Sequence, residues 1–447
     1  MIKVITYGTY DILHYGHIRL LERAKALGDY LIVGVTADGF DQNRGKINVQ
    51  QSLMERVEAV RMTGLADEII VEEYEGQKID DIRRYGVDIF TVGSDWVGEF
   101  DYLNEYCKVV YLERTDGVSS TEIRSQKREV QFGLVGESNV LNKFERECRV
   151  VNGAKVTGVC TERITELSPV FSTLDCITKD YDELLKNVDA VYLFSHPQKH
   201  YEQAKKALMQ GKHVLCESPI AMTKKEVEEL FELAKEKKLV IMEGIKTAYS
   251  TAYYRLLLLI KSGIIGDVIS VDATCTSLEN NIYERPQLIE SSWNSICAWG
   301  TIALLPVFQI LGTEYSSKSI VSKLANSENK FDLFSKIAFV YPNAVASIKV
   351  GVGIKSEGEL IISGTKGYVY VPAPWWKTDY FEVRYENLQN NKRYFYQLDG
   401  EGIRYEIVAF VKAIQTGKNT SYIDENISES IADVINDFNQ GVDMTVI

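Results

Sequence analysis

Two histidines close to the start of the chain could stabilise negative charge on a phosphate. His14 and His17 follow a strand-like apolar run over residues 2–7. After them, apolar and charged side chains recur with the spacing of an amphipathic helix. The imidazoles therefore lie at a strand-to-helix corner, where a helix N-terminus offers amides and positive dipole to an anion. An ordinary pair of surface or core histidines is the alternative, although these are two of only five histidines in the chain.

A second stretch, residues 114–121, could hold the same anion. It combines the Arg114 guanidinium, a turn at Gly117 and three hydroxyls that lead into a helix start at Thr121. Arginine can bind phosphate through two hydrogen bonds, while hydroxyls and N-terminal amides hold the remaining oxygens. Taken alone, the stretch would also suit an ordinary helix N-cap. Together with the histidine pair, it predicts the opposite wall of a nucleotide site.

Residues 1–128 resemble the glycerol-3-phosphate cytidylyltransferase family, within the wider His-x-Gly-His nucleotidyltransferases. The residues that carry this resemblance are 4–11, 14–17, 20–25, 93–96, 100–101 and 114–121. It implies transfer of CMP from CTP to a phosphorylated alcohol, with release of pyrophosphate and with Mg²⁺ accompanying CTP; no residue is singled out as a metal ligand. The residues implied to bind CTP are Thr9, Tyr10, His14, Tyr15, Gly16, His17, Lys46, Arg114, Thr115, Asp116, Gly117, Val118, Ser119, Ser120 and Thr121.

The acceptor side of this site rests on two cations. Lys78 matches a lysine that binds the acceptor phosphate in the family, and Arg44 stands where the family usually has another lysine. That exchange keeps the charge but changes the geometry of the hydrogen-bond donors. The identity of the polyol or sugar phosphate that acts as acceptor therefore stays open.

The expected chemistry needs no covalent intermediate on the protein. The acceptor phosphate attacks the α-phosphorus of CTP, and the protein must orient two anions and neutralise the charge that develops. The residues expected to do this are His14, His17, Lys46 and Arg114.

Length and composition limit the class of protein. A chain of 447 residues is too long for one ordinary domain, and an apolar content of 45% supports real cores. The net charge of −13 argues against a nucleic-acid surface. Seven scattered cysteines without a Cys-x-x-Cys pair predict reduced thiols in a cytoplasmic protein. No signal peptide opens the chain, and its longest aliphatic run, residues 256–260, is too short to span a bilayer.

A charged stretch at residues 125–129 predicts a domain boundary. Beyond it, a strand with Gly133 and Gly136 opens a βαβ unit, although Ser138 occupies the third glycine position of the dinucleotide fingerprint. Strands and helices then alternate, which predicts a doubly wound parallel sheet.

The pattern changes after about residue 265. Strand-like runs follow one another without long helices, which predicts a mostly antiparallel sheet closed by helices over 402–416 and 425–438. The expected fold class is α/β: a nucleotidyltransferase Rossmann-like domain fused to a Rossmann dinucleotide-binding domain plus an α+β open-sheet domain. The expected domain ranges are 1–128, 129–248 and 249–447.

Residues 130–440 resemble the Gfo/Idh/MocA oxidoreductase family. The segments that carry this resemblance are 133–136, 195–200, 207–217, 256–268 and 402–406. It implies oxidation or reduction of sugars or polyols with a nicotinamide cofactor. The residues expected to bind that cofactor are Gly133, Gly136, Thr161, Arg163, Ser195, His196 and Glu217.

The choice between NADPH and NADH depends on the end of the second strand of this unit. Thr161 and Arg163 suit a ribose phosphate, whereas Glu162 suits free ribose hydroxyls. The balance slightly favours NADPH.

The second half departs from the family where the proton chemistry is expected. The usual Glu-Lys-Pro reads Glu217-Ser218-Pro219, and the usual Asp-x-Gly-x-Tyr/His reads Ala-Trp-Gly-Thr-Ile over residues 298–302. Carbonyl reduction needs a proton donor, and Lys246, just past a predicted strand, is the expected catalytic substitute. A solvated loop lysine is the alternative. Tyr249, Tyr253 and Tyr254 are further candidates, though helical spacing makes them more typical of a core.

The combined hypothesis is a bifunctional enzyme that makes a CDP-polyol for a surface glycan such as a capsule. It would transfer CMP from CTP to a polyol or sugar phosphate and reduce the sugar carbonyl with NADPH or NADH, in either order. The alternative is a polyol-phosphate cytidylyltransferase with an inactive dehydrogenase-like domain that regulates or dimerises the protein. A homo-oligomer is expected, without nucleic-acid or membrane partners.

Overall fold

The structure is a computed structural model that describes residues 1–37, 49, 51–73, 76–113, 129–137, 139–151, 153–164, 167–278, 293–326, 330–396, 398, 400–417, 419 and 421–447. The chain divides into two compact units, residues 1–128 (unit 1) and 129–447 (unit 2). Within the described ranges, no helix combines the length and apolar character that crossing a membrane requires. All seven cysteines lie in these ranges as free thiols.

Unit 1 is built on a parallel sheet. Its strands are β1 (Lys3–Gly8), β2 (Tyr30–Thr36), β3 (Glu68–Glu72), β4 (Ile89–Gly93) and β5 (Lys108–Leu112), and its helices are α1 (Tyr15–Lys25), α2 (Leu53–Met62) and α3 (Gln77–Tyr85). The strand order is β3-β2-β1-β4-β5, and each neighbouring pair is parallel. Because β1 is central, its carboxyl end opens directly onto the segment that contains the two histidines.

The sequence pattern accounts for this sheet. Val4, Ile5 and Val33 are fully buried, as expected for strands covered on both faces. One apolar cluster packs α1 and α2 against one face, and a second cluster packs α3 against the other. Helix α2 begins with a capping box formed by Ser52 and Glu55, which satisfies amides of its first turn.

Unit 2 begins with a second parallel sheet. Its strands are β6 (Val130–Gly136), β7 (Ala154–Cys160), β8 (Cys176–Thr178), β9 (Ala190–Phe194), β10 (His213–Glu217) and β11 (Ile241–Gly244). The helices in this part are α4 (Val140–Cys148), α5 (Tyr181–Lys186), α6 (His200–Met209) and α7 (Lys224–Lys237). The strand order β11-β10-β9-β6-β7-β8 reverses between β6 and β9, and at such a switch point a ligand crevice opens at the strand carboxyl ends.

The rest of unit 2 is a large sheet with flanking helices. Its strands are β12 (Val268–Thr276), β13 (Ser317–Asn326), β14 (Phe331–Val340), β15 (Val345–Gly351), β16 (Leu360–Gly364), β17 (Tyr368–Val371), β18 (Tyr380–Arg384), β19 (Lys392–Phe395) and β20 (Met444–Val446). The helices are α8 (Thr251–Lys261), α9 (Thr301–Leu311), α10 (Ile403–Thr416) and α11 (Glu425–Gln440). The order is β19-β18-β17-β16-β12-β15-β14-β13-β20.

The predicted fold class is confirmed, including a mostly antiparallel large sheet. Six of the eight neighbouring strand pairs in the described sheet are antiparallel, and the β12–β15 and β13–β20 pairs are parallel. A single apolar cluster joins residues of both sheets of unit 2, among them Phe132, Tyr192, Trp375 and Phe410. The division predicted at residue 248 therefore falls between two sheets that share one core.

Candidate active sites

The histidine pair of unit 1 lies at the N-terminus of α1, directly after the β1 turn. His14 is the N-cap residue, and its Nδ1 accepts a hydrogen bond of 3.1 Å from the amide of Gly16. The His14 and His17 rings stack with centroids 3.9 Å apart. Because Nδ1 of His14 is an acceptor, the neutral ring carries its proton on Nε2. Two imidazoles thus stand together at a helix end that already favours an anion.

The residues around this pair act mainly as its support. Tyr10 is 1% exposed, and its ring meets that of His17 edge-on at 5.6 Å, so the Tyr10 side chain braces His17 from the core. Tyr15 is exposed on the first turn of α1. Gly16 donates to the N-cap ring, as described above.

A buried arginine that sequence reasoning missed fixes the loop before the histidines. Arg56 is fully buried, and its Nη1 donates to the carbonyl oxygens of Thr9 at 2.7 Å and Thr36 at 2.8 Å. Its Nε donates to the carbonyl oxygen of Gln51 at 3.1 Å. These bonds join the ends of β1 and β2 to the start of α2. The available signal was its position on the apolar face of α2, beside Val57.

Lys78 lies in α3 on the opposite side of β1. Its side chain is nearly buried, forms an ion pair with the buried Glu72, and lies over the ring of Tyr7 at 4.6 Å. The carboxylate of Asp81 accepts from the Tyr7 hydroxyl at 2.9 Å. The Lys78 ammonium is therefore held by acidic and aromatic groups, and an acceptor phosphate would have to compete with Glu72 for it.

Several predicted residues of this site lie outside the described residues. They are Arg44, Lys46, Arg114, Thr115, Asp116, Gly117, Val118, Ser119, Ser120 and Thr121.

The described side chains do not form a dedicated magnesium site. In that part of the chain, no group of three or more His, Cys, Asp or Glu residues could hold a metal ion. Mg²⁺ often binds through substrate phosphates with one or two carboxylates, so its presence with CTP stays an expectation. No step below depends on it.

In unit 2, the glycines of the first turn serve close packing. A Cβ at Gly133 would stand 2.9 Å from the Leu184 side chain. Gly136 has φ +142°, and a Cβ there would overlap the carbonyl oxygen of Phe194. Both glycines therefore allow β6 to approach α5 and β9, which leaves the end of β6 open toward the crevice.

The other predicted cofactor residues lie at strand ends around this crevice. Thr161 follows β7 and is buried, while the Arg163 guanidinium pairs with Glu137 at 3.1 Å. The Ser195 hydroxyl, after β9, donates to Gln203 at 2.5 Å. His196 caps a short helical turn by accepting from the amide of Gln198.

Glu217 ends β10 and faces a second carboxyl group. It accepts a hydrogen bond of 2.5 Å from the hydroxyl of Tyr192, and burial raises its pKa to about 7. Glu406, in α10, is fully buried, and neither of its oxygens has a hydrogen-bond partner among the described residues. Burial, reinforced by the charge of Glu217, raises the pKa of Glu406 well above its usual range. We call Glu217 and Glu406 the acid pair.

Lys246 lies beside the acid pair, directly after β11. Its positive charge opposes the upward pKa shifts of both carboxyls, which places it in their immediate electrostatic neighbourhood. Its Nζ is also 3.7 Å from Oε2 of Glu401, and its side chain is 27% exposed. Lys246 is thus a partly buried ammonium among three carboxyl groups, and not the solvated loop lysine of the alternative interpretation.

At positions 218, 298 and 302, where the family's proton-transfer residues are absent, the side chains present do not supply a replacement proton donor. The Ser218 hydroxyl donates to the buried Glu243, on the face of the sheet opposite to Glu217. Ala298 packs against an apolar cluster, and Ile302 packs against the main core. Tyr249 and Tyr253 are buried and bonded to Ser421 and Gln309, so they belong to the core as their spacing suggested.

Sequence reasoning also missed an aromatic wall of the crevice. Trp293 stacks on Phe194, at the end of β9, with centroids 5.1 Å apart. It also meets the ring of His200 edge-on at 5.8 Å. The His200 nitrogens face the carbonyl oxygens of Pro219 and Ser195, and burial lowers its pKa to about 4. This wall joins the loops that follow β9 and β10.

These two sites define a class of protein. Each unit has a parallel α/β sheet, and each places its polar side chains at the strand carboxyl ends. Unit 1 places an imidazole pair at a helix N-terminus, which favours an anion. Unit 2 combines a Rossmann strand order with a lysine and two buried carboxyl groups. The chain therefore joins two parallel α/β units whose candidate sites carry different chemical groups.

Comparisons with known proteins identify both units. Residues 5–126 match the cytidylyltransferase-like family, and residues 130–245 match the oxidoreductase family with an NAD-binding Rossmann fold. Glycerol-3-phosphate cytidylyltransferase from Bacillus spizizenii is 51% identical over 124 residues, which are 28% of this chain and 95% of that protein. Bovine trans-1,2-dihydrobenzene-1,2-diol dehydrogenase is 25% identical over 276 residues, covering 59% of this chain and 81% of that protein.

A solved structure resembles unit 2 in fold. The 3-ketoreductase from Actinomadura kijaniata in complex with NADP and TDP-benzene has a TM-score of 0.63 at 17% identity, over 72% of this chain and all of that one. The chain thus belongs to the cytidylyltransferase-like family through its N-terminal domain and carries a Gfo/Idh/MocA oxidoreductase domain after it.

Proposed function

We propose that the chain is a bifunctional enzyme that makes a CDP-polyol. Unit 1 transfers CMP from CTP to a polyol or sugar phosphate, and unit 2 reduces the sugar carbonyl with a nicotinamide cofactor, preferably NADPH. The product would serve surface glycan synthesis in the cytoplasm. The observation that carries the proposal is the stacked His14–His17 pair at the start of α1, in a unit 51% identical to a cytidylyltransferase.

In unit 1, the chain's own groups stabilise the transition state. The Nε2 proton of His14 and the ring of His17 face the charge that builds as the acceptor phosphate attacks the α-phosphorus. The α1 dipole adds to this field. Lys46 and Arg114 are proposed to neutralise the remaining phosphate charge, while Arg44 and Lys78 orient the acceptor.

In unit 2, the open carboxyl edge fits a dinucleotide. Gly136 lets the first turn run close to β9. We propose that Thr161 and Arg163, which follow the second strand of this sheet, bind the adenosine ribose of the dinucleotide. When bound, the nicotinamide cofactor supplies a hydride to the substrate carbonyl. We propose that Glu217 contacts the cofactor and that Ser195 and His196 line its crevice.

The proton for the reduced oxygen comes from this chain. We propose that Lys246 donates it, because the ammonium stands at a strand carboxyl end where negative charge on a carbonyl oxygen would grow. The acid pair can replace that proton, since burial raises the pKa of Glu406 well above its usual range and so favours its protonated form. Lysine and acid pair together would replace the family residues that are absent at 218, 298 and 302.

A two-channel assay tests this proposal. The full chain is given CTP, NADPH and a panel of sugar and polyol phosphates, while pyrophosphate release and NADPH oxidation are recorded separately. We expect both signals with a carbonyl-bearing sugar phosphate and pyrophosphate alone with a polyol phosphate. Pyrophosphate release without NADPH or NADH oxidation for any substrate, including CDP-linked sugars, would instead support an inactive regulatory unit 2. Absence of pyrophosphate release would refute the role of unit 1.

A further inference from the structure

Three lysines from separate elements converge on one carboxylate in unit 2. Lys143 in α4 and Lys377 after β17 lie 3.3 and 3.2 Å from Oε2 of Glu401, and Lys246 lies 3.7 Å from the same atom. Burial alone would raise the pKa of Glu401, yet the hydrogen bonds and charges of Lys377 and Lys143 lower it. Glu401 is therefore ionised, and these four groups carry a net charge of about +2.

Among the residues that the structure describes, the neighbouring ion pair does not neutralise this excess charge. Glu147 and Arg404 bind each other through two bonds of 2.7 and 2.9 Å, so their charges already balance. The acid pair lies beyond Lys246, and burial raises the pKa of both carboxyls, that of Glu217 to about 7, so at neutral pH they offset the charge of Lys246 only in part. The lysine side chains are 27–46% exposed, so an anion from solution can reach them.

The Glu401 carboxylate is presented on a turn formed by two glycines. Glu401 lies between Gly400 and Gly402, which have φ of +57° and +82°. The Glu147 carboxylate accepts from the amides of Glu401 and Arg404 and so anchors this turn to α4. Because the turn is anchored, the Glu401 carboxylate would leave its lysines by rotation of its own side chain, without movement of the backbone.

We propose that Lys143 and Lys377 form a phosphate seat for the substrate that unit 2 reduces, and that Glu401 occupies this seat until the phosphate displaces it. The inference rests on the proposed function, and it specifies the substrate class of the same site. A phosphate monoester and the diphosphate of a CDP-ester each carry about two negative charges, which matches the excess. Lys246 then lies between the seated phosphate and the acid pair, which sets the distance from phosphate to reacting carbonyl.

The test measures KM and kcat for NADPH oxidation by the full chain. The substrates are a ketose phosphate, its CDP derivative and the free ketose. Lys143→Gln and Lys377→Gln should each raise KM about tenfold for the phosphorylated form that is the true substrate, with kcat nearly unchanged. The substrate whose KM rises, the ketose phosphate or its CDP derivative, shows whether the lysines bind a monoester or a diphosphate. Lys206→Gln is the matched control, since Lys206 is 44% exposed and pairs with the single carboxylate of Asp182.

The Glu401→Gln variant tests whether Glu401 is a counter-ion that phosphate displaces or a residue that stabilises the fold. If a phosphate replaces the carboxylate, this variant should lower KM about threefold or more at unchanged thermal stability, because a competing anion is gone. A rise in KM together with lower stability would overturn the proposal. A rise in KM for NADPH rather than for the substrate in the lysine variants would also overturn it, by assigning the lysines to the cofactor diphosphate.

Binding keeps this test distinct from the proposed reductase activity. In a His14→Ala, His17→Ala background, calorimetric titration with the same compounds reports unit 2 without catalysis by unit 1. Binding that Lys143→Gln and Lys377→Gln weaken would support the seat even if no NADPH is oxidised, in which case only the reductase proposal fails. Binding that neither variant alters would refute the seat.

Discussion

Units 1 and 2 use the same sheet geometry but differ in where their reactive groups come from. In unit 1, the imidazoles belong to the segment that follows the central strand, and the start of α1 itself orients them. In unit 2, Glu217 ends β10 and Lys246 follows β11, while Glu406 comes from a helix and lies 160 residues after Lys246. A site formed by one short segment can therefore be recognised as a sequence motif. A site assembled from distant segments can change its reactive residues while the fold stays the same.

The largest expected effect concerns the proposed reductase site of unit 2. Lys246→Met should lower NADPH oxidation by about a thousandfold or more, because it removes the proposed proton donor. Pyrophosphate release and NADPH binding, measured by fluorescence, should stay nearly normal. Lys206→Met is the control. Full reductase activity in Lys246→Met would remove this lysine from the mechanism and leave the acid pair as the alternative donor.

The next largest effect is expected at the histidine pair of unit 1. His17→Ala should lower pyrophosphate release by at least about a hundredfold, since it removes a group that stabilises charge in the transition state. Arg114→Ala is expected to do the same. The control is His213→Gln, in unit 2, where the ring accepts from the amide of Val240. Near-normal rates in both variants with intact folds would refute the nucleotide site.

A stability measurement sharpens the contrast between the units. Arg56→Met should lower the free energy of unfolding of unit 1 by about 2–4 kcal/mol, because three carbonyl oxygens lose a buried donor. Chemical denaturation followed by circular dichroism measures this change. Arg61→Met, on the exposed side of the same helix, should change it by less than about 0.5 kcal/mol. Equal effects of the two variants would show that the carbonyl bonds contribute little.

A pH titration should separate the units further. Glu217 has a pKa raised to about 7, so the stability it contributes is fully present below about pH 4.5 and is lost as pH rises through 7. Unit 2 should therefore lose stability across that window. Glu406→Gln, a neutral isostere, should flatten the loss by about 1–2 kcal/mol, whereas Glu229→Gln, at an exposed ion pair, should not. An unchanged slope in Glu406→Gln would contradict the raised pKa values.

The smallest effect expected is that of separating the units. Residues 1–128 should fold alone and turn over CTP within about threefold of the full chain, because both apolar clusters of unit 1 are complete within it. The measurement is pyrophosphate release by the purified fragment. An insoluble or inactive fragment would mean that its site or an essential oligomer contact depends on unit 2.

Part of this organisation could be predicted from the sequence, and the physical reason is locality. The strand, turn and helix around His14 lie within 25 residues, and the alternation of strands and helices in unit 2 is a periodic signal. Arg56 was missed because its partners lie up to 47 residues away and are backbone carbonyls, which have no sequence signature.

The acid pair also could not be predicted from local sequence. Residues 402–406 carried a family resemblance, but nothing local indicated that Glu406 would be buried without a partner. Its burial arises from the packing of α10 on α4 and on the turn after β11, which is a tertiary effect.

The hydrogen bond from Gly16 to His14 offers a spectroscopic handle on unit 1. One nitrogen of this ring is engaged by the backbone, so the fold itself selects the tautomer before any nucleotide arrives. With five histidines in the chain, the ¹⁵N resonances of individual rings can be resolved. The Nδ1 signal of His14 would report the integrity of the α1 start, and its Nε2 signal would report the phosphate, so a single side chain records folding and occupancy on separate channels.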